Sequence, residues 1–162
     1  MNYPFTGTNR EQSLWQYGLR APVYDLELTA LEPIRRNAID RLQLEPGATV
    51  LDVGCGTGLS FEPLQAAVGQ SGQIIGIEQC HEMLDLARAR VTQQGWINVT
   101  LLDTTAEVTS ISTHGDAALF HFTHDILRNP NAIGRVVQCV RPGARIVAAG
   151  LQWSCPWAWV TN

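Results

Sequence analysis

At Val50-Leu51-Asp52-Val53-Gly54-Cys55-Gly56-Thr57-Gly58 an apolar run breaks into three glycines at alternate positions. No other stretch of the chain restricts its fold so strongly. A short apolar run bounded by glycines is the mark of a strand buried on both faces, as in a parallel sheet. Glycine lets the backbone turn tightly and lets a ligand approach the main chain, because no Cβ intervenes. A helix is expected to follow, from about Leu59 to Val68. The free N–H groups and partial positive charge at its start favour an anionic group such as a ligand carboxylate. The next apolar run, Gln73 to Glu78, ends in an acid. Strand C-termini line the ligand crevice of open α/β sheets, and a carboxylate there can accept hydrogen bonds from two ribose hydroxyls.

The remaining pattern fits around this core. Ile34, Ala38, Ile39 and Leu42 form a helical stripe, with Pro33 in its first turn, and Glu45-Pro46-Gly47 makes a turn into the first strand, Thr49 to Val53. After the second strand, Cys80, Met83, Leu84, Ala87 and Val91 share a helix face that Gly95 terminates. Ile97 to Leu102 reads as a third strand and Ala117 to Phe122 as a fourth. Asn129 and Pro130 read as N-cap and first residue of a helix whose apolar face is Ile133, Val136, Val137 and Val140. Arg141-Pro142-Gly143 is expected to end that helix, and Ala144 to Leu151 to form a fifth strand. Strands alternating with helices imply βαβ architecture with right-handed crossovers. The 162 residues suit one domain, 25–151, preceded by an arm at 1–24 and followed by an apolar tail at 152–162.

Glycine spacing separates two classes of ligand. Dinucleotide folds use G-x-G-x-x-G, whose helix end takes a pyrophosphate. Here the glycines alternate, and Asp52 stands two residues before the first of them. An acid there repels a pyrophosphate and suits an ammonium group, directly or through water. A nicotinamide-dependent oxidoreductase is therefore the weaker reading.

Charge narrows the partners. The net charge is −4 and no basic run is visible, so the chain lacks the electrostatic footprint of a nucleic-acid binder. The four cysteines, Cys55, Cys80, Cys139 and Cys155, form no CxxC pair, and neither a metal site nor a redox motif is expected. The polar start, MNYPFTGTNREQ, has no apolar secretory core, and no run approaches the ~20 apolar residues of a membrane span. A cytoplasmic location is expected.

Taken together, the motifs resemble those of class I S-adenosylmethionine-dependent methyltransferases. VLDVGCGTGLS (50–60) resembles the first motif of that superfamily, IIGIEQCHEML (74–84) the second, VTLLDTTAE (99–107) the third and GDAALFHFTHDIL (115–127) the fourth. RPGARIVAAG (141–150) is similar to the segment through the fifth strand, and YDLELTALEPIRRNAIDRLQLEPG (24–47) to the approach found in quinone-biosynthesis and related small-molecule methyltransferases. The resemblance implies an α/β fold, a Rossmann-like doubly wound parallel sheet of about five strands. The C-terminal hairpin of the usual seven strands is not found. It also implies S-adenosyl-L-methionine as cofactor. Gly54, Cys55, Gly56, Thr57 and Gly58 would approach it, with Asp52 near its amino group and Glu78 on the ribose hydroxyls. Gln79 and Met83 would flank the adenine, Asp103 would bond its amino group with Thr104 alongside, and Phe120 to Thr123, His121 among them, would border the methionine moiety.

Methyl transfer from a sulfonium is an in-line displacement for which the protein mainly supplies proximity and orientation. A base is needed only where the acceptor must lose a proton, and His121 and His124, after the fourth strand, are the candidates. Hydrogen bonding or capping is the structural alternative for both. His81 and His114 read as surface residues, and Tyr17 and Tyr24 as lid or core. The acceptor is expected to be a small or lipid-like molecule. A non-catalytic cofactor-binding module, or a methyltransferase needing a further part or partner, is the alternative. The tail carries Trp153, Trp157 and Trp159, an apolar end that does not make a finished surface. Truncation, a homodimer through the fifth strand and tail, and contact with a membrane interface each account for it, the first two better than the third.

Overall fold

A computed structural model describes residues 31–150. Helix α1 (Glu32–Leu42) carries a proline in its first turn, where a missing N–H costs nothing. Its inward residues are Arg35, Ala38, Ile39 and Leu42, the i, i+3, i+4, i+7 spacing of one helical stripe. There follow β1 (Thr49–Val53), α2 (Phe61–Val68), β2 (Gln73–Glu78), α3 (His81–Gln94), β3 (Val99–Asp103) and β4 (Gly115–His121). The short helix α4 (His124–Leu127), then α5 (Pro130–Gln138) and β5 (Val140–Ala149), complete the described chain.

The five strands pair in the order β3-β2-β1-β4-β5, all parallel. The chain moves outward from β1 through β2 to β3, then returns to the other side of β1 with β4. Strand order thus reverses between β1 and β4, and such a switch point leaves a crevice beyond the strand C-termini.

Both faces of the central strands β1, β2 and β4 are covered, which is why these read as continuous apolar runs. Val50, Ile74, Ala117 and Leu119 join Ala38, Ile39, Leu64 and Leu84 in the layer beneath α1, α2 and α3. Leu51, Val53, Ile75, Ile77, Ala118 and Phe120 join Ala132 and Val136 of α5 in the opposite layer. The two-residue period of a strand then assigns Asp52 and His121 to the α1 side. That placement determines what surrounds them.

Several local expectations need correction. On α1 the stripe carries Arg35 inward rather than Ile34. The third strand begins at Val99, and Ile97 is 96% exposed, because Asn98 anchors the strand entry by donating to the carbonyls of Gly69 and Gly72 at 3.0 and 2.8 Å. The cap at Asn129 forms as expected, its side chain accepting from the N–H groups of Asn131 and Ala132. The expected helix face holds only in part: Val136 is buried together with Ala132, and Val140 is buried as the first residue of β5, whereas Ile133 and Val137 are 37% and 49% exposed. The Arg135 guanidinium, donating to the Thr109 carbonyl, fixes that rotation. Arg141-Pro142-Gly143 lies within β5, where the register slips between the pairs Gly115–Val140 and Ala117–Arg145. The helix has already ended at Gln138, capped by Cys139. Among the described residues the fifth strand forms one edge of the sheet. The tryptophan tail, the N-terminal arm with Tyr17 and Tyr24, and Leu151 lie outside the described residues. Among the described residues no helix is long and apolar enough to cross a membrane.

Gly76, in the middle of β2, carries a packing constraint. A Cβ there would lie 2.9 Å from Cys55 Sγ, 2.9 Å from Leu101 Cδ2 and 3.0 Å from the fully buried ring of Phe61. Glycine in a strand interior often marks such a close approach. Gly76→Val is therefore expected to destabilise the fold by about 1–3 kcal/mol through overpacking. Urea denaturation checks this, and an unchanged midpoint would contradict the close packing.

Candidate functional site

The crevice at the switch point collects the acids that the sequence singles out. Glu78 ends β2 and Asp103 ends β3, and the two are paired neighbours in the sheet. Asp52 lies in β1 and His121 ends β4. The loop from Gly54 to Ser60 leaves β1 and crosses over the end of β2. The N–H groups of Gly54 and Cys55 both donate to the Ile77 carbonyl, at 2.8 and 3.1 Å. Gly56 N–H donates to Glu78 Oε2 at 2.9 Å, while Glu78 Oε1 accepts from the N–H groups of Gln79 and Cys80 at 2.9 and 2.8 Å. One carboxylate thus holds both the glycine loop and the start of α3. Burial pushes its pKa up, and the three N–H groups pull it back.

The three glycines have different reasons to lack a side chain. A Cβ on Gly54 would overlap the Thr123 methyl, and one on Gly58 would lie 2.5 Å from the Phe61 ring. Both spaces are filled by the protein itself. Gly56, at φ +55°, has nothing within 4 Å of that position. It is the point of the loop where a ligand finds main chain and open space together. Cys55 and Thr57 between them are buried, and burial raises the Cys55 thiol well above its ordinary range, which leaves it unreactive.

Beneath the loop is a cavity of about 30 Å³ whose walls include Arg35, Asp52, Gly54, Gly56, His121 and Phe122. Three buried polar atoms of these residues have no hydrogen-bond partner among the described residues: Arg35 Nε, Asp52 Oδ2 and His121 Nε2. Native proteins rarely leave such atoms unsatisfied. Asp52 is 1% exposed. Burial raises its pKa to about 7, against the opposing pull of Arg35 and with a small push from Glu78. His121 is held down to about 4 by burial and by Arg35, so it is neutral at pH 7. Phe122 follows it at φ +58°, a strained left-handed conformation for a bulky residue, with its N–H tied to the Ala149 carbonyl at 2.8 Å.

At the β3 side the geometry is more open. Asp103 Oδ2 lies 2.7 Å from His81 Nδ1 and 3.9 Å from Arg88, so the exposed His81 is tied to the site. Thr104 N–H donates to the Glu78 carbonyl at 3.1 Å, and Met83 is buried at the start of α3. His124, on α4, is exposed, with its ring against Gly150. Among the described residues no group of three His, Cys, Asp or Glu side chains is placed to hold a metal ion. Arg35 is the site residue that the sequence reading misses. Its spacing to Ala38, Ile39 and Leu42 is the available signal, overlooked because a charged residue is normally assigned to solvent.

A family model described as a methyltransferase domain matches residues 50–143. The aklanonic acid methyltransferase DauC of Streptomyces sp. (strain C5) is 26% identical over 130 residues, covering 80% of this chain and 59% of that protein. The 2-phytyl-1,4-naphtoquinone methyltransferase of Thermosynechococcus vestitus is 29% identical over 141 residues, covering 84% of this chain and 62% of that protein. The chain spans from 24% to 62% of the length of the curated relatives it matches. The crystal structure of a SAM-dependent methyltransferase from Aquifex aeolicus matches in fold with a TM-score of 0.63 at 24% identity, over 75% of this chain and 69% of that one.

The raised pKa of Asp52 has a definite sign in stability. Its folded pKa of about 7 exceeds the ordinary value of 3.8, so the folded state holds the proton more tightly. That contribution is complete below the ordinary value and is lost as pH rises through the folded one. Asp52→Asn removes it. The variant should therefore gain on the native chain between about pH 4 and pH 8, by roughly 2–4 kcal/mol, since each tenfold difference in proton affinity is worth ~1.4 kcal/mol. Denaturant melts of both proteins across that range measure the difference, and a constant gap would show that Asp52 titrates normally.

Proposed function

The chain belongs to the methyltransferase-domain family, and from that premise we propose that it binds S-adenosyl-L-methionine at the switch-point crevice and passes the methyl group to a small or lipid-like acceptor. The fold is the Rossmann-like α/β fold of that family. One observation carries the reading: Asp52, Glu78, Asp103 and His121 stand on four adjacent strands around a glycine loop whose central residue, Gly56, faces open space.

The residues present suit the cofactor. Glu78 keeps lone pairs for the ribose hydroxyls while it holds the loop. Gln79, Met83, Asp103 and Thr104 border the adenine. Asp52 has a buried oxygen to offer the ammonium group, and His121 to Thr123 border the methionine chain. When bound, S-adenosylmethionine supplies an electrophilic methyl group on a sulfonium. The chain's own work is then to fix that end beside the acceptor and to exclude water, which is where most of the rate of such a displacement originates. His121, neutral and with a pKa of about 4, is a weak base. His124, exposed on α4, is the other candidate base for an acceptor that must be deprotonated.

The net charge of −4 and the named acceptors of the two relatives support a small or lipid-like acceptor over nucleic acid. A second copy of the chain is proposed at the β5 edge, where Ile146 is 43% exposed on an edge strand. Sedimentation at rising concentration should show self-association that Ile146→Lys weakens; a monomer throughout would remove the dimer.

Calorimetric titration with S-adenosylhomocysteine tests the cofactor reading directly, with the reduced nicotinamide dinucleotide as the opposing ligand. The first should bind and the second should not; the reverse outcome would make the chain an oxidoreductase. Glu78→Ala should weaken binding by about 1.5–3 kcal/mol, the scale of hydrogen bonds to a charged group. It should also lower stability, because three N–H groups lose their acceptor. Gly56→Val, at a positive φ and in the ligand's space, should abolish binding while unfolding stays cooperative. Normal binding by that variant would move the cofactor away from the loop.

A further inference from the structure

We propose that His81 is a positioning residue: it fixes the Asp103 carboxylate and thereby sets the preference of the crevice for an amino purine over an oxo purine. This rests on the S-adenosylmethionine reading above, in which Asp103 borders the adenine, and gives the first residue of α3 a part in selecting the base.

The ends of β2 and β3 bring the two residues together. Glu78 and Asp103 are paired neighbours at those ends. His81 opens α3, three positions after Glu78. Glu78 holds the backbone on both sides. Its carboxylate accepts from the N–H groups of Gln79 and Cys80, and its carbonyl accepts from the N–H of Thr104. Met83, buried in the first turn of α3, keeps that turn against the core. With both backbones held, His81 Nδ1 lies 2.7 Å from Asp103 Oδ2. A carboxylate only accepts, so Nδ1 carries the hydrogen. Arg88 is a weaker neighbour. Its Nη2 is 3.9 Å from the same oxygen, beyond hydrogen-bond range, and its Nη1 is engaged by Asp85 at 2.7 Å. Among the described residues the Asp103 side chain therefore takes its hydrogen bond from His81, through Oδ2, and Oδ1 stays open as an acceptor. That side chain is 36% exposed at the mouth of the crevice, within reach of a ligand.

An exposed pair of this kind adds little to stability, and the His81 side chain is 75% exposed. Its effect is on direction. An aspartate free to turn can meet either an exocyclic amine or the ring N–H beside an oxo group. A carboxylate held at Oδ2 presents Oδ1 along one line. The amine of adenine brings a hydrogen to an acceptor placed there. The oxo group of hypoxanthine brings lone pairs against it, and the neighbouring ring N–H lies off that line. A group held to accept from one donor rejects the analogue that lacks it.

Calorimetry with S-adenosylhomocysteine and its deaminated analogue, S-inosylhomocysteine, tests the assignment on three chains: native, His81→Ala and His81→Asn. The ratio of the two affinities on one chain is independent of the fraction folded. The native chain should favour the adenosyl ligand roughly 10-fold or more. His81→Ala should weaken the adenosyl ligand roughly 3- to 10-fold, the range of one hydrogen bond, without weakening the inosyl ligand, so that the preference narrows. His81→Asn, whose amide nitrogen can stand where Nδ1 stands, should restore it. Equal affinity of the native chain for the two ligands overturns the proposal without any variant. So does a His81→Ala chain that keeps the native preference, or one that loses both ligands by the same factor; either result leaves the cofactor reading standing. If the native chain binds neither ligand, the cofactor reading fails, and the His81 assignment fails with it.

Discussion

The clasp between Glu78 and the glycine loop is the contact on which the rest of the site depends. A loop of alternating glycines has little side-chain packing to hold it, and glycine loses more backbone freedom on ordering than any other residue. Here the loop is tied by its main chain: two N–H groups to the Ile77 carbonyl and a third to the Glu78 carboxylate. The same carboxylate holds the approach to α3 through the N–H groups of Gln79 and Cys80. One side chain at the end of β2 therefore fixes the exit from β1, the entry to α3 and the floor of the crevice. The parallel sheet makes this possible by ending both strands at the same level.

Electrostatics in the crevice are governed by burial more than by partners. Asp52 and His121 are pushed in opposite directions by the same cause, because burial disfavours the charged form of each. Arg35 then favours an ionised Asp52 and disfavours a protonated His121. The resulting arrangement has one permanent cation, one acid close to its titration point, and one neutral imidazole. It is poised to respond to a charged ligand at the cost of leaving polar atoms unsatisfied in its absence.

The strand pattern, the loop and the three motif acids were legible because each is encoded locally. Alternation and apolar runs place β1, β2 and β4, and the Asn129-Pro130 pair marks the start of α5 through chemistry confined to three residues. What was not legible depends on contacts between distant segments. Ile34 and Arg35 differ by one step in helical phase, and in the folded chain it is the arginine that shares the inward stripe with Ala38, Ile39 and Leu42. Ile97 has the composition of a strand residue, but the bonds from Asn98 to the carbonyls of Gly69 and Gly72 start the strand after it. The motif identifies three glycines without distinguishing them. The difference between Gly56 and its neighbours comes from Thr123 and Phe61, residues that the loop meets only in the folded chain.

The packing of Thr123 and Ile126 against Gly54 joins the β1 loop to the segment after β4 at a shared van der Waals boundary. Close-packed interiors have no slack in which such a boundary can move independently on its two sides. A molecule that displaces α4 from outside the crevice must therefore also act on the glycine loop. Linkage makes that influence reciprocal: whatever a first ligand does to the affinity for the second, the second does equally to the first. A single missing side chain at residue 54 thus serves as a thermodynamic connection between the glycine loop and the segment after β4.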